Sequence, residues 1–524
     1  MNRDAMLARA RRADAADIWD LVVVGGGATG VGIALDAAAR GYRTLLLERG
    51  DFGKGTSSRS TKLVHGGLRY LERGDVGLVI AALRERGILR RNAPHLVGDL
   101  AFVVPSYDWW EAPFYGIGLK VYDWLAGKYG FGSSEILSRE QTLERLPTIE
   151  TRGLRGGVVY YDGQFDDARL LIHLAATAAE QGAVLLNYAE AVGVTHAGGT
   201  AGGVDGVVAR DVETGEEWRV RARIVVNAAG PFVDSVRRLA EPDAPALLAP
   251  SQGIHLVFDE AFLPGDHAIL VPHTSDGRVM FAIPWHGHTL VGTTDTPIDA
   301  PSEEPRPRAE EVEFLLATAR RYLSRAPSRE DVKSVFVGIR PLVRSGDDHA
   351  TATLSRDHVV RTEASGLLTV AGGKWTTYRQ MAEDAVDRAA ELAELPKKAC
   401  TTRTLPVHGH DPEADRFGDL RVYGSDALAI RDLVREEPAL GERLHPALPY
   451  LAAEVVWAVR AEMARTVEDL LARRLRALFL DARAADEMAP AVARLAAREL
   501  RWDPARERRE VEEFRELARG YRLD

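Results

Sequence analysis

One segment near the start of the chain constrains the fold more than any other: DLVVVGGGATGVGIALDAAARGYRTLLLERG, residues 20–50. Its apolar run at 21–24 suits a strand buried on both faces of a parallel sheet. Gly25, Gly27 and Gly30 follow at the spacing G-x-G-x-x-G, a helical stretch succeeds them, and Gly41 ends it before a second apolar run at 44–47. The first glycine permits the tight turn, the second lets a pyrophosphate approach the backbone, and the third lets helix and strand pack closely. The helix N-terminus then offers N–H groups and partial positive charge to phosphate. Glu48 closes the second strand, where an acid accepts hydrogen bonds from an adenosine ribose. A chain with this opening is expected to bind a dinucleotide in a Rossmann-like α/β domain. The pattern alone does not choose between FAD and NAD.

The remaining length and charge narrow the field. At 524 residues the chain exceeds the size at which one core keeps growing, so two or three domains are expected. A formal charge of -10 opposes nucleic-acid binding, which needs a basic surface, so any anion site must be built locally. Cys400 is the one cysteine, which excludes an intramolecular disulfide and a cysteine-ligated cluster and fits a reducing cytoplasm. No metal site is expected. The first residues lack the apolar core of a secretory signal, and no stretch reaches the roughly 18 apolar residues of a spanning helix.

Three further segments favour a flavin. GTSSRSTKLVHGGLRYLE, residues 55–72, sets Thr56, Ser57 and Ser58 before His65 and two glycines. Small and hydroxylated residues let such a loop lie against a flat ring system and hydrogen bond to it. RARIVVNAAGPFVD, residues 221–234, and GLLTVAGGKWTTYRQMAEDAV, residues 366–386, repeat the strand, glycine turn and helix. They add Gly230 and Asp234, then Gly372, Gly373 and Thr376, to the candidate cofactor contacts. Three such turns spread along a chain suit a long cofactor lying across one sheet.

With SSRSTKLVHGGLRYLE, YDGQFDDARL, NAAGPFVD, PSQGIHLV, FAIPWHGHTLVGTTD, GIRPL, LSRDH and GGKWTTYR in hand, the sequence resembles the FAD-dependent, quinone-linked glycerol-3-phosphate dehydrogenases over nearly its whole length. The resemblance implies an α/β fold: a Rossmann-like FAD-binding domain interleaved with an antiparallel-sheet substrate domain, plus an all-α C-terminal cap. The expected boundaries are 18–80, 150–240 and 350–395 for FAD binding, 81–149 and 241–349 for substrate, and 396–524 for the cap. It implies hydride transfer from sn-glycerol 3-phosphate to FAD, giving dihydroxyacetone phosphate, with electrons passed to ubiquinone or menaquinone. Around the substrate it places Arg69, Tyr70, Arg340, Arg356 and Lys374; guanidinium forks match phosphate oxygens in bidentate fashion. His65 is the first choice of base and His255 the second, since imidazole titrates near neutrality. Arg340 could instead stabilise developing alkoxide charge.

Two regions bear on partners. Residues 109–138 cluster Trp109, Trp110, Phe114, Tyr115, Tyr122, Trp124 and Tyr129 with Lys120 and Lys128, while Ile117, Val121, Trp124 and Leu125 recur at helical spacing. Such a segment either packs on its own domain or lies on a membrane. The resemblance favours the membrane, giving a peripheral protein on the cytoplasmic face. In the cap, Thr466 and Asp469 read as the opening of one helix with Val467, Leu470, Leu471, Leu475 and Leu478 along a face, and the cap is a candidate homodimer contact. The competing readings are a soluble oxidase using oxygen, an amine or amino-acid oxidase, and a flavin-binding protein without turnover.

Overall fold

The computed structural model describes the chain except residues 13–17, 68–74, 199–201, 273, 275–278, 345–357 and 524, and the side chain of Lys128. Among the described residues two sheets organise the fold. The first runs His358–Thr362, Leu368–Gly372, Glu217–Asn227, Trp19–Val24, Thr44–Leu47, Val184–Leu186. Its central pairs are parallel, as Val22↔Val225 and Val22↔Leu45 record, and helices Ala28–Ala39, Asp167–Glu180 and Tyr378–Leu392 pack against it. Leu21, Val22 and Val23 are fully buried, which at about 1.5–3 kcal/mol each explains why this strand carries no polar face. The hairpin Ala189–His196 and Val204–Asp211 extends the outer half of Glu217–Asn227.

The second sheet runs Thr296–Pro297, Ser251–Asp259, His288–Gly292, Met280–Trp285, His267–Val271, Val97–Ser106, Gly156–Phe165, Leu63–Val64, with Ser334–Arg340 paired to Ser251–Asp259 and Glu135–Ser138 to Gly156–Phe165. Its pairs are antiparallel apart from His267–Val271 beside Val97–Ser106. Period-two alternation splits each strand: Ile254, Leu256 and Phe258 pack with the helix Ala309–Tyr322, while Val257, Phe336 and Leu290 join the C-terminal helices. The strands Leu63–Val64 and Gly156–Phe165 pair here, so this sheet takes sequence from the expected FAD-binding segments 18–80 and 150–240. The cause is that a doubly buried ten-residue strand reads alike in either sheet.

The C-terminal part is helical but not as the apolar period suggested. Thr466 Oγ1 accepts from Asp469 N at 3.1 Å and Asp469 Oδ2 accepts from Thr466 N at 3.2 Å, so the reciprocal cap is present. The helix it opens does not run on. A wide π-type turn, Asp469–Arg474, gives way at Arg476, whose φ of 61° breaks the rod before Ala477–Leu480. Arg473, Arg474 and Arg476 are all buried, the first two meeting Asp51, just past the strand Thr44–Leu47, and the third meeting Asp167.

Candidate active site

A single cavity of about 1090 Å³ runs from the glycine turn after Trp19–Val24 to the inner face of the second sheet. That is the upper end of small-molecule pockets, ample for a long ligand. At its first end Gly25 has φ +113°, and a Cβ there would fall 2.5 Å from Ala228 O. A Cβ on Gly30 would sit 1.9 Å from Gly25 O, so this glycine serves helix-to-strand packing. The helix Ala28–Ala39 starts with no acidic residue in its first turn, and Ala28 N donates to Ser57 Oγ at 2.9 Å. Glu48 lines the cavity, its carboxylate accepting from Gly26 N at 2.6 Å and Gly50 N at 2.7 Å. Burial raises its pKa against those two bonds. Its remaining lone pairs are suited to hydroxyl donors of a ribose.

Midway, three loops close together. Thr56 Oγ1 donates to Ile339 O at 2.6 Å and Trp375 Nε1 to Ser57 O at 2.8 Å, tying the 55–60 loop to both other walls. His65 N donates to Thr376 Oγ1 at 3.2 Å. Gly230, Gly372 and Gly373 line the cavity with φ between 55° and 76°, and a Cβ on Gly230 would meet nothing within 4 Å, leaving the backbone open to a ligand. An open helix N-terminus, a backbone-held acid and three glycine turns on one continuous cavity fit a dinucleotide carrying a ring system.

Besides Gly30, two expected cofactor contacts face elsewhere. Ser58 is buried and does not line the cavity. Asp234 accepts from Leu247 N at 3.0 Å and Leu248 N at 3.1 Å and pairs with Arg237 at 2.8 Å, so it caps a neighbouring loop. Strand-to-helix context could not tell a capping acid from a ligand-facing one.

At the far end lie His65, His255, Arg340 and Lys374, all lining the same cavity though distant in sequence. Arg69, Tyr70 and Arg356 lie outside the described residues. Arg340 ends the strand Ser334–Arg340, opposite Ser251. It is held by Asp295 at 3.2 Å, Thr293 Oγ1 at 3.1 Å and Thr294 O at 2.8 Å, and Ser251 Oγ donates to the same Asp295. Gly253 makes the room: a Cβ there would lie 2.4 Å from Arg340 Nη2 and 2.5 Å from Thr294 O. Lys374 precedes the short turn Trp375–Thr377 in extended conformation.

His255 is set by strand register, with Gly292 opposite on one side and Phe336 on the other. The imidazole stacks on Phe336, centroids 4.8 Å apart and 16° from parallel. A Cβ on Gly292 would strike its Cδ2 at 2.2 Å, so only glycine leaves space for the ring. Nε2 meets Thr61 Oγ1 at 2.9 Å. Burial pushes the His255 pKa well below the usual imidazole value, and the charges of Lys62 and Arg340 push the same way, so the ring is neutral at working pH.

Behind it stands Lys62, which is fully buried. Its Nζ donates to Asp167 at 2.7 Å and Ser58 O at 2.8 Å and lies 4.9 Å from the Phe336 ring centre. Burial pulls this ammonium down to about 7 against the attraction of Asp167. Asp295, Gly253, Thr61 and Lys62 escaped the residue-by-residue reading. Each stood inside a motif already singled out, but its partner is far along the chain.

The helix Glu111–Ala126 covers this end. Tyr115, Leu119 and Tyr122 are buried, while Ile117, Val121 and Trp124 face outward with Trp109 and Phe114. Trp124 is 79% exposed and Ile117 70%, which rejects packing on the chain's own core as the destination of that row. An apolar groove of about 540 Å³ runs along it between Ile117, Trp124, Ile136 and Val158. Among the described residues no helix is long and apolar enough to cross a membrane.

Comparison with known proteins covers almost the whole chain. The family model described as FAD dependent oxidoreductase matches residues 20–379, and that described as the C-terminal domain of alpha-glycerophosphate oxidase matches residues 370–507. The human mitochondrial glycerol-3-phosphate dehydrogenase is 41% identical over 533 residues, covering 95% of this chain and 73% of that protein. The Arabidopsis thaliana mitochondrial glycerol-3-phosphate dehydrogenase SDP6 is 41% identical, covering 97% and 87%. Among solved structures, the glycerol-3-phosphate dehydrogenase of Bacillus halodurans complexed with FAD superposes with a TM-score of 0.80 at 32% identity, covering 99% of this chain and 97% of that one.

Proposed function

Because the chain belongs to the FAD-dependent glycerol-3-phosphate dehydrogenases, we propose that it oxidises sn-glycerol 3-phosphate to dihydroxyacetone phosphate and passes the electrons to a membrane quinone. FAD is its cofactor. The observation that carries the substrate reading is the meeting of Arg340, Lys374 and His255 on the cavity that begins at the Gly25 turn.

Gly25, Gly27, Glu48, Thr56, Ser57, Gly230, Gly372, Gly373 and Thr376 would hold the cofactor. When bound, FAD supplies the hydride acceptor. Arg340 and Lys374 bind the phosphate dianion, each charge-assisted hydrogen bond contributing about 1.5–3 kcal/mol. Asp295 fixes the Arg340 fork, so its donors are oriented before substrate arrives. Arg69, Tyr70 and Arg356 complete the proposed substrate set. His255 is the proposed base in preference to His65, because it is neutral, buried and already hydrogen bonded at Nε2. The incoming phosphate charge and the developing alkoxide both raise its affinity for a proton in the low-dielectric cavity.

The acceptor reading rests on the helix Glu111–Ala126. Exposed tryptophans beside Ile117 and Val121 suit the interfacial layer of a bilayer, on the cytoplasmic face where Cys400 stays reduced. The same strand serves both sides of this cover: Val158 lines the outer groove and Tyr160 the main cavity. An apolar quinone in that groove would lie two residues along one strand from the wall of the main cavity. The holoenzyme with glycerol 3-phosphate on quinone-containing liposomes should form quinol in step with dihydroxyacetone phosphate, and Trp109, Ile117 and Trp124 changed together to Ser should abolish quinol formation there while a soluble dye is still reduced. Peroxide released in step with substrate, with quinone ignored, would make the protein an oxygen-using oxidase instead.

A further inference from the structure

His255 borders the cavity, yet its nitrogens are not open to it. Nδ1 is buried and has no hydrogen-bond partner among the described residues. Nε2 is occupied by the hydroxyl of Thr61 at 2.9 Å. The ring cannot swing to free either atom, because Phe336 stacks on one face and Gly292 offers space only for the ring as it lies. Thr61 itself lines the cavity. Its backbone is fixed by its neighbour, since Lys62 is anchored on Asp167 and Ser58 O, and Lys62 N donates to Ser60 Oγ at 3.0 Å.

From this geometry we propose that Thr61 is the proton relay between the substrate hydroxyl and His255. The inference rests on the reading of His255 as base. In the tautomer that carries its proton on Nδ1, Nε2 accepts from the hydroxyl of Thr61, a residue that lines the cavity and keeps its oxygen lone pairs for a second donor. Bound FAD would take the C2 hydrogen of the substrate with its electron pair, so that the C2–O bond would become a carbonyl and the hydroxyl proton must leave. The substrate hydroxyl proton passes to Thr61 Oγ1 while the proton already there moves to His255 Nε2. Threonine ends as it began, the imidazole carries one more proton, and no further reactant is required. A two-proton chain of this kind is a general-base device acting through one intervening hydroxyl.

The test uses the FAD-loaded enzyme, anaerobic stopped flow and three single variants. Thr61→Val, which keeps shape and removes the hydroxyl, should slow flavin bleaching by saturating glycerol 3-phosphate about 100-fold, in the range general-base losses take. FAD retention and apparent substrate affinity should change little. Thr61→Ser should restore most of the lost rate. His255→Ala should be as slow as Thr61→Val, and the double variant no slower, because both remove one path. In the wild type the rate against deuterium fraction should bow as two protons in flight require, and Thr61→Val should flatten it. Thr61→Val bleaching at the wild-type rate while His255→Ala is slow would overturn the relay and leave the base in place. Thr61→Ser as slow as Thr61→Val would also overturn it, by showing that the hydroxyl is not what matters. If His255→Ala bleaches normally, the reading of His255 falls and the relay with it.

Discussion

Arg340 shows how one side chain is made ready. Its fork is held by Asp295 and Thr294 O, and the space it occupies exists because residue 253 has no Cβ. Gly253→Ala is expected to displace the guanidinium, since the new methyl would lie 2.4 Å from Nη2 and 2.5 Å from Thr294 O, the carbonyl that holds the fork. A 1 Å misplacement of a positioning group costs about 10²-fold. The expected outcome is a fall of that order in kcat/KM for glycerol 3-phosphate, with the FAD spectrum unchanged. Residues of this kind divide sharply in legibility. Gly25, Gly27, Gly30 and Glu48 could be named from the sequence because a turn and its helix are local, their geometry fixed within a few residues. Asp295, Thr61 and Lys62 could not, because each acts through a partner brought near by sheet register or by the C-terminal helices.

At the scale of elements, the connection that follows Tyr378–Leu392 is fastened by a histidine. His408 pairs with Asp426 at 2.7 Å and with Glu180 at 2.5 Å, joining the end of the helical stretch Ala414–Asp426 to the end of the helix Asp167–Glu180. The Asp426 hydrogen bond leads in raising its pKa to about 8, against an unfolded value near 6.5. Folding therefore favours the protonated form. The stability His408 contributes is fully present below about pH 6.5 and is lost as pH rises through about 8. Thermal unfolding of His408→Gln beside the parent should show the widest gap in Tm near pH 6 and none near pH 9; a gap that grows with pH would contradict the pairing. The helix Glu111–Ala126 was legible as a helix from its period, but not in its orientation. An apolar row at 117, 121 and 124 looks the same whether it faces the chain's own core or outward, and the burial of Tyr115, Leu119 and Tyr122 on the opposite side turns it outward. The cap segment departs from expectation for a different reason: the apolar positions 467, 470, 471, 475 and 478 say nothing of Arg473, Arg474 and Arg476 between them, which are the buried partners of Asp51 and Asp167.

Over the whole molecule the three glycine turns and Lys374 follow strands of one sheet, Arg340 and His255 sit on paired strands of the other, and the C-terminal helices meet the first through buried ion pairs and the second through apolar packing. Removing one member of such a pair costs about 3–5 kcal/mol, because the other is left charged and unpaired in the interior. The α/β class and the helical C-terminal part follow from motifs of the sequence, since each motif is a local unit with its own glycine chemistry. The division between sheets does not: Gly156–Phe165 joins the second sheet although the helix after it packs on the first. The central claim is that Arg340, Lys374 and His255 meet beside FAD to grip a phosphate and release hydride from the adjoining carbon. It is tested most directly by mixing the oxidised yellow holoenzyme with glycerol 3-phosphate under strict anaerobiosis and following the flavin absorbance. The expected result is rapid, complete bleaching with glycerol 3-phosphate, none with glycerol, and loss of the response in Lys374→Ala with FAD still bound. Bleaching by glycerol as readily as by its phosphate, or none by either, would contradict it.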